Sequence, residues 1–542
     1  MTRHLIRLPG APATRATLVA CAVAAVAAAI VPAGTSAQDI QPPKLVVSIV
    51  VDQLRGDLLE RYDQVFTGGL RRLLDDGHRF TQASHAHART STAPGHATLS
   101  TGVFPSRHGV VANSWFQRRG VQWNNMYAVA DPESPIVGFE NEPLLEGRSP
   151  ATMMRDGLPD WLGAFDARSR RVSISKKDRA AIPMGGQSSE HVYWILPELA
   201  RFVTSTHYTR RMPRWVERFN QRVMPGIVEP EVWDSEVPER HRSLARPDSA
   251  AYENDGVHTT FPHVSAEENP DTTRFIHYLW GLDQPRADDA VMALARTAID
   301  ELELGQRAEL DYLAISLSAT DRVGHAYGPL SQEVFSTLVH VDALLGPFFD
   351  YLDETVGEGR WVAGFTADHG VVTMPEWARE SGVAEADRIL LDWARGELTT
   401  VLNDVARGGG SPDEIAERLG RAAEGLDFVE RAYTHHSFTR GVAADSFAVL
   451  YRNSYYPGRA WDDLSRFGVD LRYGEHDYVG APTGTSHETV YWYDRHVPMI
   501  FLGAGVVAGV SDAPVHTVDF APTLAALAGI PVPDDLDGRR IY

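Results

Sequence analysis

Five short runs of apolar and β-branched residues set the strongest limit on how this chain folds. They are Lys44–Asp52 (KLVVSIVVD), Arg170–Ser175 (RRVSIS), Leu310–Leu317 (LDYLAISL), Trp361–Ala367 (WVAGFTA) and Val497–Gly503 (VPMIFLG). Such runs suit strands buried on both faces, as in a parallel sheet. Helical patterns lie between some of them. In Ser331–Val356, residues Leu338, Val341, Leu345 and Phe348 recur near helical spacing. At Ser411–Leu426, Ser411, Pro412 and Glu414 supply a hydroxyl cap, a first-turn proline and a capping-box acid. Strands alternating with helices predict an α/β fold with a mainly parallel central sheet flanked by helices.

Two stretches, about 180–288 and 374–479, break this rhythm and read as cap-like insertions in a single catalytic domain spanning 38–542. Residues 1–37 read as a signal peptide. Arg3, Arg7 and Arg15 precede the apolar run ATLVACAVAAVAAAIV, and Thr35–Ala37 resembles a small-residue cleavage site. Leu18–Cys21 (LVAC) resembles a lipoprotein box, but most of the apolar run follows Cys21, so cleavage after Ala37 is expected instead. Cys21 is the only cysteine. A chain cleaved after Ala37 has no disulfide and no thiolate ligand, so any metal must sit on His, Asp and Glu. These features predict an exported bacterial protein, periplasmic or secreted, with no membrane anchor after cleavage. They leave the oligomeric state open.

Metal-type residues cluster around the ends of these runs. Asp52 ends the first, Asp321-Arg-Val-Gly-His325 follows the third, Asp368-His369 follows the fourth, and His487 shortly precedes the fifth. In open α/β sheets the ligand crevice lies beyond the carboxyl ends of the strands, so these residues converge if the strands are neighbours. Three Asp and three His suit two divalent ions, zinc first, then manganese or iron. The formal net charge of −21 argues against nucleic acid as a dedicated partner. It also demands a strong local positive field for any anionic substrate, which bound metals supply. Hydroxyls crowd the stretch Ala88–Gly102 (ARTSTAPGHATLSTG), including Thr90, Ser91 and Thr92. Nothing inside the stretch decides whether one of them is a nucleophile. A helix is expected from about Pro94, with Thr92 as its cap, Gly102 as its stop, and N–H groups at its start facing an incoming anion.

The order Asp52, Thr92-Ala93-Pro94-Gly95-His96, Asp321-x-x-x-His325, Asp368-His369, His487 resembles the alkaline phosphatase superfamily. More narrowly it resembles the type I phosphodiesterase/nucleotide pyrophosphatase branch, and within that the PafA-type bacterial alkaline phosphatases with a threonine nucleophile. The C-terminal stretch VHTVDFAPTLAALAGIPVPDDLDGR fits the same pattern. The resemblance implies Thr92 as nucleophile and two Zn2+ ions. Asp321, His325 and His487 would hold one; Asp52, Asp368, His369 and the Thr92 oxygen would hold the other. It implies Asn113 as a ligand of a phosphoryl oxygen, and Lys177 and Arg179 as the pair that marks monoesterases. A monoester dianion has an extra anionic oxygen that two cations can meet. The implied activity is hydrolysis of small-molecule phosphate monoesters through a phosphothreonine. Diester or pyrophosphate cleavage at the same site is the alternative, and non-catalytic phosphate or metal binding a third reading. The turn lacks the modified Cys or Ser and the Arg of a sulfatase. His85, His87 and His96 read as structural. Glu488 follows His487 where family members commonly have glycine.

Overall fold

The computed structural model describes residues 42–142, 144–269, 273–441 and 445–542; the leader read at 1–37 lies outside them. Its core is a nine-stranded sheet. In chain order the strands are β1 (Leu45–Val51), β2 (His78–Phe80), β3 (Arg171–Ser175), β4 (His191–Leu196), β5 (Arg201–Val203), β6 (Asp311–Leu317), β7 (Trp361–Thr366), β8 (Met499–Gly503) and β9 (Gly509–Ser511). Their spatial order is β9-β2-β8-β7-β1-β6-β3-β4-β5. The block β7-β1-β6-β3-β4 is parallel throughout. All five sequence runs are therefore strands of one sheet, side by side in the order β8-β7-β1-β6-β3.

Burial on both faces explains their composition. Along β1, Leu45, Val47, Ile49 and Val51 join one apolar cluster, while Val46 and Val50 join the cluster on the opposite face. The fifth run departs from the parallel expectation: β8 lies antiparallel to both β7 and β2. An unbroken apolar run reports burial on two faces and carries no information on strand direction.

The long helical pattern forms Gln332–Leu352, capped by Ser331, whose Oγ accepts the Val334 N–H at 3.0 Å. Leu338, Val341, Leu345 and Phe348 all face the core. The helix ends four residues before Val356, in an irregular turn at Asp353–Gly357. The second pattern forms Pro412–Ala423 with Ser411 and Glu414 in a capping box. It packs with Leu398, Phe428, Leu464 and Val469 in a small apolar cluster of its own. Within the stretch expected from about 180 to form a cap, β4 and β5 extend the central sheet. No helix among the described residues is long and apolar enough to cross a membrane.

Candidate active site

Three parallel neighbours, β7, β1 and β6, deliver Asp368, Asp52 and Asp321 to the same edge of the sheet, and β3 delivers Lys177 beside them. All three aspartates are buried. Asp321 and His325 ride on helix Ala319–Tyr327, one turn apart, with His325 Nε2 3.2 Å from Asp321 Oδ1. Ligand-capable atoms of Asp52, Asp368 and His369 lie within 4.8 Å of one another, and so do those of Asp321, His369 and His487. His369 thus stands at the seam of two clusters, its ring stacked on that of His487 at 3.7 Å. His325 reaches the second cluster through Asp321, and its ring lies 5.0 Å from that of His487.

Each of these three histidines is oriented the same way. The Nδ1 of His325 is tied to Thr485 O (2.8 Å), that of His369 to Gly370 O (2.9 Å) and that of His487 to Thr90 O (2.6 Å). The Nε2 atoms are left to face the cluster, an arrangement that suits metal ligation. Asp52 Oδ1, Asp368 Oδ2 and His369 Nε2 are buried and lack a hydrogen-bond partner. Buried acceptors gathered without donors are costly, and a bound cation resolves that cost. The residues therefore fit divalent metal ions.

The charges respond to this crowding. Burial, with the Asp321 and Asp368 carboxylates beside it, pushes the Asp52 carboxyl well above its usual range. Burial acts in the same direction on Asp321, but Lys177 and His325 outweigh it and hold that carboxyl well below the usual range. Asp368 is likewise held low against burial, by His369 and His96. Burial pushes the His369 and His487 imidazoles down, and a neutral imidazole is the form that binds a metal. Lys177 Nζ bridges Asp52 Oδ2 (2.6 Å) and Asp321 Oδ2 (2.5 Å).

Thr92 is buried and begins helix Thr92–Thr101, which stops at Gly102 in the left-handed conformation. The cap is Ser91, whose backbone is extended, and not Thr92 as its sequence context predicts. Asn113 Oδ1 accepts the Ala93 N–H at 2.9 Å. Pro94 has no N–H, and Gly95 N–H is bonded to Ser91 O. The first turn therefore offers an anion little beyond the Thr92 N–H and the Asn113 amide. Arg179 Nε is buried without a partner, while Asp178 beside it takes Tyr127 Oη (2.5 Å) and Arg148 Nε (2.7 Å). Glu488 adopts φ 86°, the region that favours glycine, and its carboxylate pairs with Arg89 at 2.9 Å.

Some supporting residues give no sequence signal. Gln53, at φ 66°, turns its backbone N–H to Asp368 Oδ1 (3.1 Å) and its side-chain amide to Asp321 Oδ1 (3.0 Å). Asp288 accepts the Ser318 and Ala319 N–H groups at 2.8 and 3.2 Å, at the start of the helix carrying Asp321. Asp494 accepts the Thr489 N–H (2.7 Å) and the Thr90 hydroxyl (3.4 Å), on either side of His487; burial pushes its carboxyl up to about 7. His96 donates Nδ1–H to Thr92 O at 2.8 Å and stands 3.2 Å from Asp368 Oδ2. His85 Nε2 bonds Ala367 O at 3.2 Å, next to Asp368, with His87 packed against it; neither faces the ligand cluster.

Residues 46–468 match the family model for type I phosphodiesterase / nucleotide pyrophosphatase. The alkaline phosphatase PhoV of Synechococcus elongatus is 30% identical over 529 residues, 93% of each chain. The alkaline phosphatase PhoK of a Sphingomonas species is 31% identical over 537 residues, 92% of this chain and 90% of that one. The crystal structure of alkaline phosphatase PafA superposes with a TM-score of 0.83 at 25% identity, over 93% of this chain and 99% of that one.

Proposed function

Because the chain belongs to the type I phosphodiesterase / nucleotide pyrophosphatase family, we propose that it is a phosphate monoester hydrolase acting through a phosphothreonine on Thr92. The observation that carries the monoester reading is Lys177. Its ammonium reaches into the carboxylate cluster at 2.6 Å from Asp52, beside Arg179 with a donor unspent. Relatives named alkaline phosphatases over nearly their whole length support it.

Asn113 spends its Oδ1 on Ala93 N–H, so its Nδ2 is the donor left for a non-bridging phosphoryl oxygen. Lys177 and Arg179 meet the remaining charge of the dianion, where positioned cations contribute most to phosphoryl transfer. Thr92 Oγ1 bonds to phosphorus as the P–O bond to the alcohol breaks, releasing the alcohol and leaving a phosphothreonine. Water enters on the vacated side, breaks the threonine ester and releases inorganic phosphate. Asp52, Asp368 and His369 with Thr92 would hold one divalent ion, and Asp321, His325 and His487 the other, zinc by donor chemistry. Such ions activate a hydroxyl and a water and neutralise a leaving oxygen. Export is part of the same proposal, on the strength of the leader.

Purified protein is expected to cleave 4-nitrophenyl phosphate faster than bis(4-nitrophenyl) phosphate. Thr92→Ala should lower kcat/KM by about 10³-fold or more, and chelation should abolish turnover until zinc is restored. The matching family model favours diester cleavage as a second reading. Dominant diester turnover that ignores Lys177→Ala and Arg179→Ala would establish that reading instead.

A further inference from the structure

One member of the cluster, His487, lines a cleft of about 980 Å³. Ser486 and Glu488, on either side of His487 in the chain, line it too, as does Ser114, the neighbour of Asn113. A phosphoryl group fills a small part of that space. Building on the monoesterase reading, we propose that this cleft selects the leaving alcohol and takes a large, uncharged, aromatic one.

The walls are aromatic. Phe116, Trp461, Phe467 and Tyr473 line the cleft, and Phe467 is 39% exposed. Phe116 is half-buried on strand Ser114–Arg119, which is fixed by pairing with Ala460. Aromatic side chains in a concave, pre-formed site gain most from an apolar, planar partner.

The charges point the same way. Four arginines and four carboxylates line the cleft, so it carries no net charge. Arg89 is bound to Glu488 (2.9 Å), Arg466 to Asp463 (2.8 Å) and Arg472 to Glu430 (2.8 Å). Arg89 also lies over Trp461 and Arg466 over Phe116. These guanidiniums are already engaged, while Lys177 and Arg179 stand at the phosphoryl end. With these pairs set aside the lining keeps Arg395 against two carboxylates, Asp462 and Asp477, so a leaving group with its own anionic charge binds worse.

The test compares 2-phenylethyl phosphate with ethyl phosphate, whose leaving oxygens are chemically alike. The zinc-loaded protein should favour the phenylethyl ester by about tenfold or more in kcat/KM, the worth of burying a phenyl ring. A para-carboxylate on that ring should remove most of the gain. Phe116→Ala should shrink the phenylethyl-to-ethyl ratio at least about fivefold. Phe467→Ala, at an exposed position that folding tolerates, should shrink it in the same direction. 2-Phenylethanol should inhibit competitively. A wild-type ratio near one, a carboxylated ester as good as the neutral one, or a ratio unmoved in both variants overturns the proposal. Hydrolysis of neither ester sinks the monoesterase reading, and this proposal with it; hydrolysis of both at equal rates sinks only this proposal.

Discussion

Gly95 is where the helix carrying Thr92 touches Asp368, and Gly95→Ala measures how much that contact matters. A methyl there would lie 2.8 Å from Asp368 Cβ and 2.9 Å from its carbonyl carbon, with the carbonyl oxygen nearer still. Carbon atoms settle at about 3.5 Å or more, so helix Thr92–Thr101 and the Asp368 backbone must part by about 0.7 Å or more. Two terms compete for stability. Alanine in place of glycine inside a helix contributes about 1 kcal/mol, and overpacking costs about 1–3 kcal/mol. The net loss is about 0–2 kcal/mol. At about 2.1 cal/mol/K per residue over roughly 500 residues, Tm falls by only about 0–2 °C. Activity suffers far more. Thr92 and Asp368 lie on opposite sides of the contact, and misplacing reacting groups by about 1 Å costs about 10²-fold. Calorimetry, kcat/KM on 4-nitrophenyl phosphate and metal content per chain separate the two effects. The expected result is a loss of about 10–100-fold in kcat/KM with Tm nearly unchanged. Wild-type kcat/KM at wild-type metal content would refute the claim that this contact sets the register between Thr92 and Asp368.

Gly324→Ala provides a contrast, because its methyl would meet the far end of the Gln53 side chain, with Cδ 3.1 Å away, and no backbone. Tm should hold within about 1 °C, but Gln53 must swing off Asp321, and zinc affinity by titration should fall about tenfold. Asp288 is buried and its carboxyl is pushed up to about 6, burial outweighing two backbone N–H donors. The folded chain therefore binds a proton more tightly than the unfolded one. This contribution to stability is full below about pH 4 and shrinks by up to about 1.4 kcal/mol per unit as pH rises to about 6. Asp288→Asn should flatten that slope in denaturant titrations of chelated protein, and an unchanged slope would count against it. Glu488→Gly relieves a left-handed backbone worth about 1 kcal/mol and loses a partly exposed ion pair worth about 0–1 kcal/mol. Glycine's extra chain entropy takes back about 0.5–1 kcal/mol. Tm should stay within about 1 °C of wild type, and a drop above about 4 °C would mean that the Arg89 pair carries more than an exposed bridge can.

The strands were legible because a side chain buried on each face demands an unbroken apolar run, and β1 divides its residues between two cores as that rule requires. The positions of Asp52, Asp321 and Asp368 followed from the same rule, since ligands gather at carboxyl ends of parallel strands. The antiparallel direction of β8 was hidden, because burial on two faces has no polarity. β4 and β5 were hidden too, being short and set in a segment without clear period. Thr92 was misread as a cap because the residue types alone do not say which hydroxyl lies in the extended region; the fold places Ser91 there.

The sequence by itself determined which elements form and which chemistry they can carry, because period, capping and residue type are local properties written in consecutive positions. Only the tertiary structure decided that His369 stands between two clusters, that Gln53, Asp288 and Asp494 brace the segments carrying Asp321, Asp368 and His487, and that an aromatic cleft lies beside His487. Those relations join residues up to four hundred positions apart, such as Thr90 and Asp494. They depend on which strands become neighbours, and no local pattern encodes that.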